Sequence, residues 1–330
     1  MSKWWDAIVI GAGPAGASCA VWLKQLGLTV LLVESAPEPG GLLRTNSYLD
    51  VWTVTSPDQT GQDMARHLAR QIQNAGLELR CETKVLKVDS EARDKQGESG
   101  FTVTLCCASS DCAGPDGLQD RVGGAHSAYA EYARHVVIAS GVRARSPAGI
   151  EGAAPAGILV GPGQQVMQYP FQGLSVAVLG GGDNAFENYL YARDQGARNV
   201  KLFARTVRAQ QQFVNQVPAG DVVAGDIDLD TQARTVNGEP FDCILVFYGW
   251  EPCADYIGAL PVQRDSRGFI HVSPETTETS VPGLYAIGEV TQRTHPCVPT
   301  AMADGVIAAK AIERRISQGN FISNAEVQGS

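Results

Sequence analysis

The stretch Ala7-Ile8-Val9-Ile10-Gly11-Ala12-Gly13-Pro14-Ala15-Gly16 constrains this chain more than any other. A short apolar run ends in glycines spaced G-x-G-x-x-G, and a helix-competent segment follows from Ala17 to Leu26. A second apolar run, Leu28 to Val33, then delivers Glu34. Strand, tight turn, helix and second strand in that order give the glycine spacing its meaning. Gly11 permits the turn, Gly13 lets a pyrophosphate approach the backbone, and Gly16 lets helix and strand pack closely. Pro14 and Ala15 fall at the helix start, where unpaired N–H groups and the positive dipole end face the phosphates. Glu34, followed by Ser35, is placed to accept hydrogen bonds from a ribose diol.

The chain has 330 residues, a length that suits two domains. Its 44% hydrophobic and 18% charged residues give a globular balance with enough apolar material for real cores. A net charge of −9, with no basic run to neutralise phosphates, argues against a nucleic-acid partner. No apolar run approaches the length of a membrane span. The opening Met1-Ser2-Lys3-Trp4-Trp5-Asp6 lacks a signal-peptide layout, so the expected location is the cytoplasm, without a membrane partner. Eight cysteines (Cys19, Cys81, Cys106, Cys107, Cys112, Cys243, Cys253 and Cys297) are then expected to be mostly reduced and buried. No two of them are spaced as C-x-x-C.

Past Glu34, the segment 37–45 carries Gly40-Gly41-Leu42, where a backbone could approach a flat ligand. Thr60 to Gly76 reads as a helix with Met64, Leu68 and Ile72 on one face. Short strands follow at 78–82, 84–89 and 101–106, and the Gly-, Ser- and Asp-rich stretch 107–130 reads as an exposed insertion in a hairpin. Arg134 to Gly141 is another buried strand ending at a glycine, and the Pro- and Gly-rich residues 147–157 read as a linker. Beyond it the opening pattern recurs: a strand at 174–179, the turn Gly180-Gly181-Gly182-Asp183-Asn184-Ala185, a helix at 186–195 and a strand at 200–203. This is a second dinucleotide-binding unit, with Gly180, Gly182 and Ala185 at the fingerprint positions. The strand 242–247 ends at Tyr248-Gly249, and a last strand, Gly283-Leu284-Tyr285-Ala286-Ile287-Gly288, runs into Glu289. A helix from Pro299 to Ile316 closes the pattern.

Two such units, with the first unit's final strand deferred to the chain end, resemble the two-dinucleotide-binding-domain flavoproteins. Residues 283–289 are similar to that family's late motif, in which a carboxylate binds the flavin ribityl chain. Within the family the chain is most similar to the low-molecular-weight thioredoxin reductases, through its Gly40-Gly41-Leu42 loop, the Trp52 segment, Thr60-Gly61 and its compact length. The resemblance spans nearly the whole chain. It implies an α/β fold of two Rossmann-like three-layer ββα dinucleotide-binding domains, the second inserted into the first. Residues 1–152 and 253–330 would form an FAD-binding domain, and 153–252 a second, shortened NAD(P)-binding-like domain. It implies FAD held by Gly11, Gly13, Pro14, Ala15, Gly16, Glu34 and Ser35 at the adenosine diphosphate half. Gly288 and Glu289 would hold the ribityl, with Gly41, Leu42, Thr45, Pro299, Thr300 and Ala301 around the isoalloxazine; Val85, Ser140 and Gly141 complete the set. A homodimer is implied as well.

Three departures bear on how much function carries over. In thioredoxin reductases a C-x-x-C pair sits shortly before the second glycine motif, whereas residues 157–166 here contain no cysteine. Thiol–disulfide exchange needs one thiolate to attack and another to resolve, so the ordinary thioredoxin reductase mechanism is closed. Members selective for NADPH carry a basic cluster after the second strand of the second unit. Here Phe203-Ala204-Arg205-Thr206-Val207-Arg208 keeps a thinned version, and Arg205 and Arg208 read equally as phosphate ligands or as solvated surface. Glu289 stands where the family usually has Asp, one methylene longer.

The expectation is an FAD-dependent oxidoreductase that passes electrons through FAD, with NAD(P)H or ferredoxin as donor. The second nucleotide site, built from Gly180, Gly182, Asp183, Asn184, Ala185 and Arg205, takes NAD(P)H in one version. In the other it takes a second FAD, as in the diflavin-linked, pyridine-nucleotide-independent relatives of thioredoxin reductase that the chain also resembles. A non-catalytic flavin-binding redox sensor is the reading from a different class. A small redox protein, ferredoxin or thioredoxin-like, is the expected protein partner. Cys297, near the start of the last helix, reads either as a reactive thiol with a lowered pKa or as a structural one, and His295 as a proton donor or an ordinary loop residue. Cys106, Cys107 and Cys112, with His126 further along, lack the paired spacing of a zinc site, so no metal is expected. A disulfide from Cys112 to a neighbour stays open. No Ser/His/Asp set of hydrolase type stands out.

Overall fold

A computed structural model describes residues 3–46, 48–93, 97, 99–107, 120–121, 127–150, 154–291 and 295–328. In chain order the main elements begin with strand β1 (Trp4–Ile10), helix α1 (Pro14–Gln25) and β2 (Val30–Val33). Helix α2 (Gly61–Asn74), β3 (Glu78–Arg80), β4 (Thr83–Arg93), β5 (Ser99–Cys107) and β6 (Ser127–Ile138) follow. Next come β7 (Ile158–Val160), β8 (Ser175–Leu179), helix α3 (Asp183–Asp194), β9 (Asn199–Ala204), β10 (Val222–Ala224) and β11 (Cys243–Val246). Strand β12 (Leu284–Ala286) and helix α4 (Val298–Gln328) end the chain.

These elements form two compact units, Met1–Val142 with Pro252–Ser330, and Arg143–Glu251. The first break falls ten residues before the 152/153 boundary expected from the Pro- and Gly-rich stretch. The reason is packing: Ile150 is buried in the second unit's core with Ile158, Ala177 and Ile244. Most of the insertion expected at 107–130, with Cys112 and His126, lies outside the described residues.

In the first unit the sheet runs β3-β2-β1-β6-β5-β4, and β12 also pairs with β6. Strands β1, β2 and β3 are parallel, as are β1 with β6 and β6 with β12. β4 and β5 are antiparallel, and β5 pairs antiparallel with the first half of β6. Apolar residues run unbroken from Ala7 to Ile10 in β1 because both faces are covered. Ala7 and Val9 pack on the helical side with Leu23 of α1 and Ile312 of α4, while Ile8 and Ile10 pack on the other side with Val33, Val103 and Leu105. The long connection between β2 and β3 holds α2, whose N-terminus is a capping box. Thr60 Oγ1 accepts from Asp63 N–H, and the Asp63 carboxylate accepts from Thr60 N–H. Such a cap stabilises a helix by about 1 kcal/mol, and it places Thr60 as the cap rather than the first helical residue.

The second unit has a wholly parallel sheet in the order β10-β9-β8-β11-β7. In each unit the strand before the glycine turn has the next strand in sequence on one side and a much later strand on the other. That is a topological switch point, where ligands bind at the carboxyl ends of the strands. No helix among the described residues is long and apolar enough to cross a membrane.

Candidate functional site

The first glycine turn shows which glycines the fold needs and which one leaves room. Gly11 has φ +103°, and a Cβ there would lie 2.4 Å from the Ala139 carbonyl oxygen. A Cβ on Gly16 would lie 1.9 Å from the Gly11 oxygen, so both glycines hold helix, turn and strand together. Gly13 differs: it caps α1 with an ordinary φ of −74°, and its Cβ would meet nothing nearer than Gly41 Cα at 3.8 Å. The space above Gly13 is therefore open to a ligand, at a helix whose first turn carries Pro14 and no acidic residue. Glu34 is buried at the end of β2. Its Oε2 accepts from Ala12 N–H at 2.8 Å, and its Oε1 from Ala36 N–H at 2.8 Å and Ser35 Oγ at 3.3 Å. A carboxylate offers about four lone-pair positions and three are taken, so one ribose hydroxyl can still be accepted. Anionic room at Gly13 and α1, with a fixed carboxylate at the next strand end, fits the adenosine diphosphate half of FAD.

Gly40 N–H donates to Ala12 O at 2.8 Å, which brings the second glycine loop onto the first. Gly41 and Leu42 are exposed, while Leu43 is buried against Met64, Ala65 and the partly buried Val298. Thr45 Oγ1 donates to Leu42 O and closes a single 3₁₀ turn over Gly41–Thr45. The late motif and the start of α4 meet in a small pocket lined by Gly288, Glu289, Pro296, Cys297, Thr300, Ala301 and Asp304. Glu289 is half-buried and has no hydrogen-bond or ion-pair partner among the described residues, and burial pushes its carboxyl above the usual range. An unpartnered carboxylate at this depth is what a ligand hydroxyl would satisfy, so the pocket fits the ribityl part of the same group.

The structure brings Cys297 and Glu289 into one pocket. Cys297 is exposed just before α4; its N–H donates to Thr300 Oγ1 at 3.1 Å, and its Sγ lies 3.4 Å from that oxygen. His295 is also exposed and contributes its carbonyl, which accepts from Thr300 Oγ1 at 3.0 Å. Pro299 is exposed on the first turn of α4 beside the half-buried Thr300 and Ala301. Val85 is a core residue of β4, next to a register shift that leaves Leu86 exposed. The Ser140 hydroxyl donates to Cys253 O and also meets Tyr256 Oη at 2.9 Å, and Gly141 O accepts from Cys253 N–H at 3.0 Å. Those two residues thus anchor the returning chain.

In the second unit Gly180 repeats Gly11: φ is +144°, and a Cβ would lie 2.4 Å from Phe247 O. Nothing lies within 4 Å of a Cβ on Gly182, which caps α3 and is open as Gly13 is. Ala185 fits with its methyl fully buried. Gly181, not singled out from the sequence, takes the close approach here, since its Cβ would be 1.9 Å from Thr206 O. Arg208 N–H donates to Gly181 O at 2.6 Å, and the Asp183 carboxylate accepts from Gln210 N–H at 2.7 Å and Gln210 Nε2 at 2.8 Å. The segment 205–210 is thereby fastened to the turn. Arg205 and Arg208 are exposed, with no carboxylate partner among the described residues. Asn184 O accepts from Asn188 Nδ2 one turn along α3. Glu187 is a further half-buried carboxyl that the sequence reading passes over, and burial and then Asp183 push it up.

Of the other described cysteines, Cys81, Cys106 and Cys253 are half-buried and Cys107 is buried. Cys19 and Cys243 are buried, and burial pushes the Cys243 thiol up to about 12. Among the described residues there is no disulfide and no cluster fit to hold a metal. Asp304 and Gly305 were also missed. An Asp-Gly pair within the otherwise apolar run from Ala301 to Ala309 is the signal that marks them.

A family profile described as pyridine nucleotide-disulphide oxidoreductase matches residues 5–305. The chain belongs to this family. It is an oxidoreductase, and its two Rossmann-like units are the family's two dinucleotide-binding units. A bifunctional thioredoxin reductase/thioredoxin of Mycobacterium leprae (strain TN) is 27% identical, over 95% of this chain and 66% of its own length. A ferredoxin–NADP reductase of Granulibacter bethesdensis is 27% identical, over 93% of this chain and 88% of its own. Among solved structures, Lactococcus lactis thioredoxin reductase in its FR conformation matches with a TM-score of 0.72 at 20% identity, covering 95% of this chain and 99% of that one. That last likeness is one of fold.

Proposed function

We propose that this member of the family is an FAD-dependent oxidoreductase reduced by NADPH at its second unit, which delivers electrons without a thiol relay of its own. One observation carries the reading. The second turn is open at Gly182, heads a helix, and is flanked by two arginines that no described carboxylate neutralises. A 2′-phosphate needs guanidinium partners, and Arg205 and Arg208 supply them. The missing C-x-x-C supports an acceptor other than the family's disulfide, as does the likeness to a ferredoxin–NADP reductase. FAD, when bound, takes up a hydride and releases electrons to an acceptor. The chain's part is binding and orientation: Glu34 for the ribose, Gly13 and α1 for the pyrophosphate, and Glu289 for the ribityl. The pocket at the start of α4 would lie against the ring, with Cys297 and His295 at its rim. Cytoplasmic location, a homodimer and a small redox protein as acceptor belong to the same reading. Exposed Trp22, Leu49, Val51, Trp52 and Val54 support an interface on the first unit.

Anaerobic stopped-flow mixing tests the proposal. NADPH should bleach the flavin band at roughly 450 nm, faster than NADH does. A combined Arg205→Ala and Arg208→Ala variant should need about tenfold more NADPH for half the maximal rate, since charge-assisted contacts contribute at least ~1.4 kcal/mol. Bleaching by reduced ferredoxin and by neither pyridine nucleotide would overturn it in favour of the diflavin reading. Bleaching by none of them leaves the sensor.

A further inference from the structure

Asp304 is nearly fully buried, at 3% exposure, in the second turn of α4. Its Oδ2 accepts from Gly288 N–H at 3.1 Å. Gly288 sits at φ +72°, and a Cβ there would come 2.9 Å from the Ala15 Cβ, so the turn that presents Glu289 presses against the start of α1. The neighbour of Asp304, Gly305, lies where α4 crosses α1: a Cβ there would be 2.5 Å from Ala15 O and 2.7 Å from Cys19 N. Ser18 Oγ donates to Met302 O at 2.8 Å across the same crossing. One turn of α4 therefore grips α1 directly behind the pyrophosphate end and grips the Glu289 turn by its backbone amide.

A hydrogen bond from a buried amide to a carboxylate is about twice as strong as one between neutral groups, and without it the Gly288 N–H would be left unpaired in the interior. We infer that Asp304 is a positioning residue of the flavin half of the first site: it fixes Gly288–Glu289 relative to the N-terminus of α1. The inference rests on reading that site as an FAD site. It names a residue outside the glycine fingerprint and the late motif, acting through Glu289 rather than on the cofactor.

The two halves of the site can be separated by ligand. ADP occupies only the part held by Gly13, α1 and Glu34, whereas FAD also needs the Glu289 end. Apo protein is prepared from the full chain, and FAD and ADP affinities are measured by fluorescence and calorimetry for wild type, Asp304→Ala and Asp304→Asn. Asp304→Ala should weaken FAD by tenfold or more while ADP changes less than twofold. Asp304→Asn, which keeps an acceptor oxygen without the charge, should fall between. The visible circular dichroism of bound flavin should change in both variants, reporting an altered ring setting that a uniform loss of stability would not produce. Equal losses for FAD and ADP, or no loss for either, overturn the inference. If Asp304→Ala does not fold, the FAD-to-ADP split in Asp304→Asn decides alone. Wild-type protein that binds ADP but not FAD would instead overturn the FAD reading, whatever the variants do.

Discussion

Glu289 holds a carboxyl that burial pushes up and that no described partner stabilises as an anion. A carboxyl whose folded pKa lies above its unfolded value binds its proton more tightly in the native state. The stability this group contributes is therefore fully present at low pH and is lost as pH rises through the folded value, above the ordinary 4.5. In flavin-free protein, Glu289→Gln should melt higher than wild type at neutral pH, and the gap should close as pH falls towards the ordinary carboxylate range. Thermal melts of both proteins across that range check this, and a gap independent of pH would refute it. FAD should narrow the difference in another way, by giving the wild-type carboxylate hydroxyls to accept from. Glu289 was a candidate from the sequence through the resemblance of residues 283–289 to the family's late motif. Its lack of a partner was not legible, because that depends on α4 closing over it.

At the scale of elements, the strand–turn–helix at Gly11–Gly16 separates what the fold needs from what the ligand needs. Gly16→Ala forces a methyl against the Gly11 backbone, which cannot swing aside. Overpacking of this kind costs roughly 1–3 kcal/mol or more, and a chain of this size should lose about 2–4 °C of melting temperature per kcal/mol. Gly13→Ala has an allowed backbone and nearly 4 Å of clearance, so it should melt like wild-type apo protein yet purify with little or no flavin. Thermal melts paired with the visible spectrum decide the matter. If both variants keep flavin, the pyrophosphate does not lie over Gly13. The turn, α1 and β2 were readable because their partners lie within about thirty residues and each signal is local. Gly181 and Gly305 were not, since neither falls on a fingerprint position and each is required to be glycine only by a carbonyl that tertiary packing brings against it, Thr206 O and Ala15 O. The first unit boundary was misplaced for a related cause. Prolines and glycines mark a turn, but only the burial of Ile150 shows which core the segment joins.

For the whole molecule, the two units pose one question, because the same turn geometry serves FAD and a pyridine nucleotide alike. What separates the second unit from the first is its surroundings. The first turn is followed at the next strand end by buried Glu34, which suits a ribose hydroxyl. The second is followed by exposed Arg205 and Arg208, on a segment fastened by Asp183 and Gln210, which suits a phosphomonoester. FAD has no phosphomonoester, so a second flavin would leave both arginines with nothing to hold. The purified protein should therefore release one flavin per chain on denaturation. Light scattering should give twice the 35.0 kDa chain mass if exposed Trp52 and its apolar neighbours are covered by a second copy. Absorbance of the released flavin against protein concentration measures the first quantity, and it needs no knowledge of the acceptor. A ratio near two would assign the second turn to flavin and leave Arg205 and Arg208 as solvated surface. A ratio near one, together with bleaching by NADPH, would leave the acceptor as the one unassigned partner of the reaction.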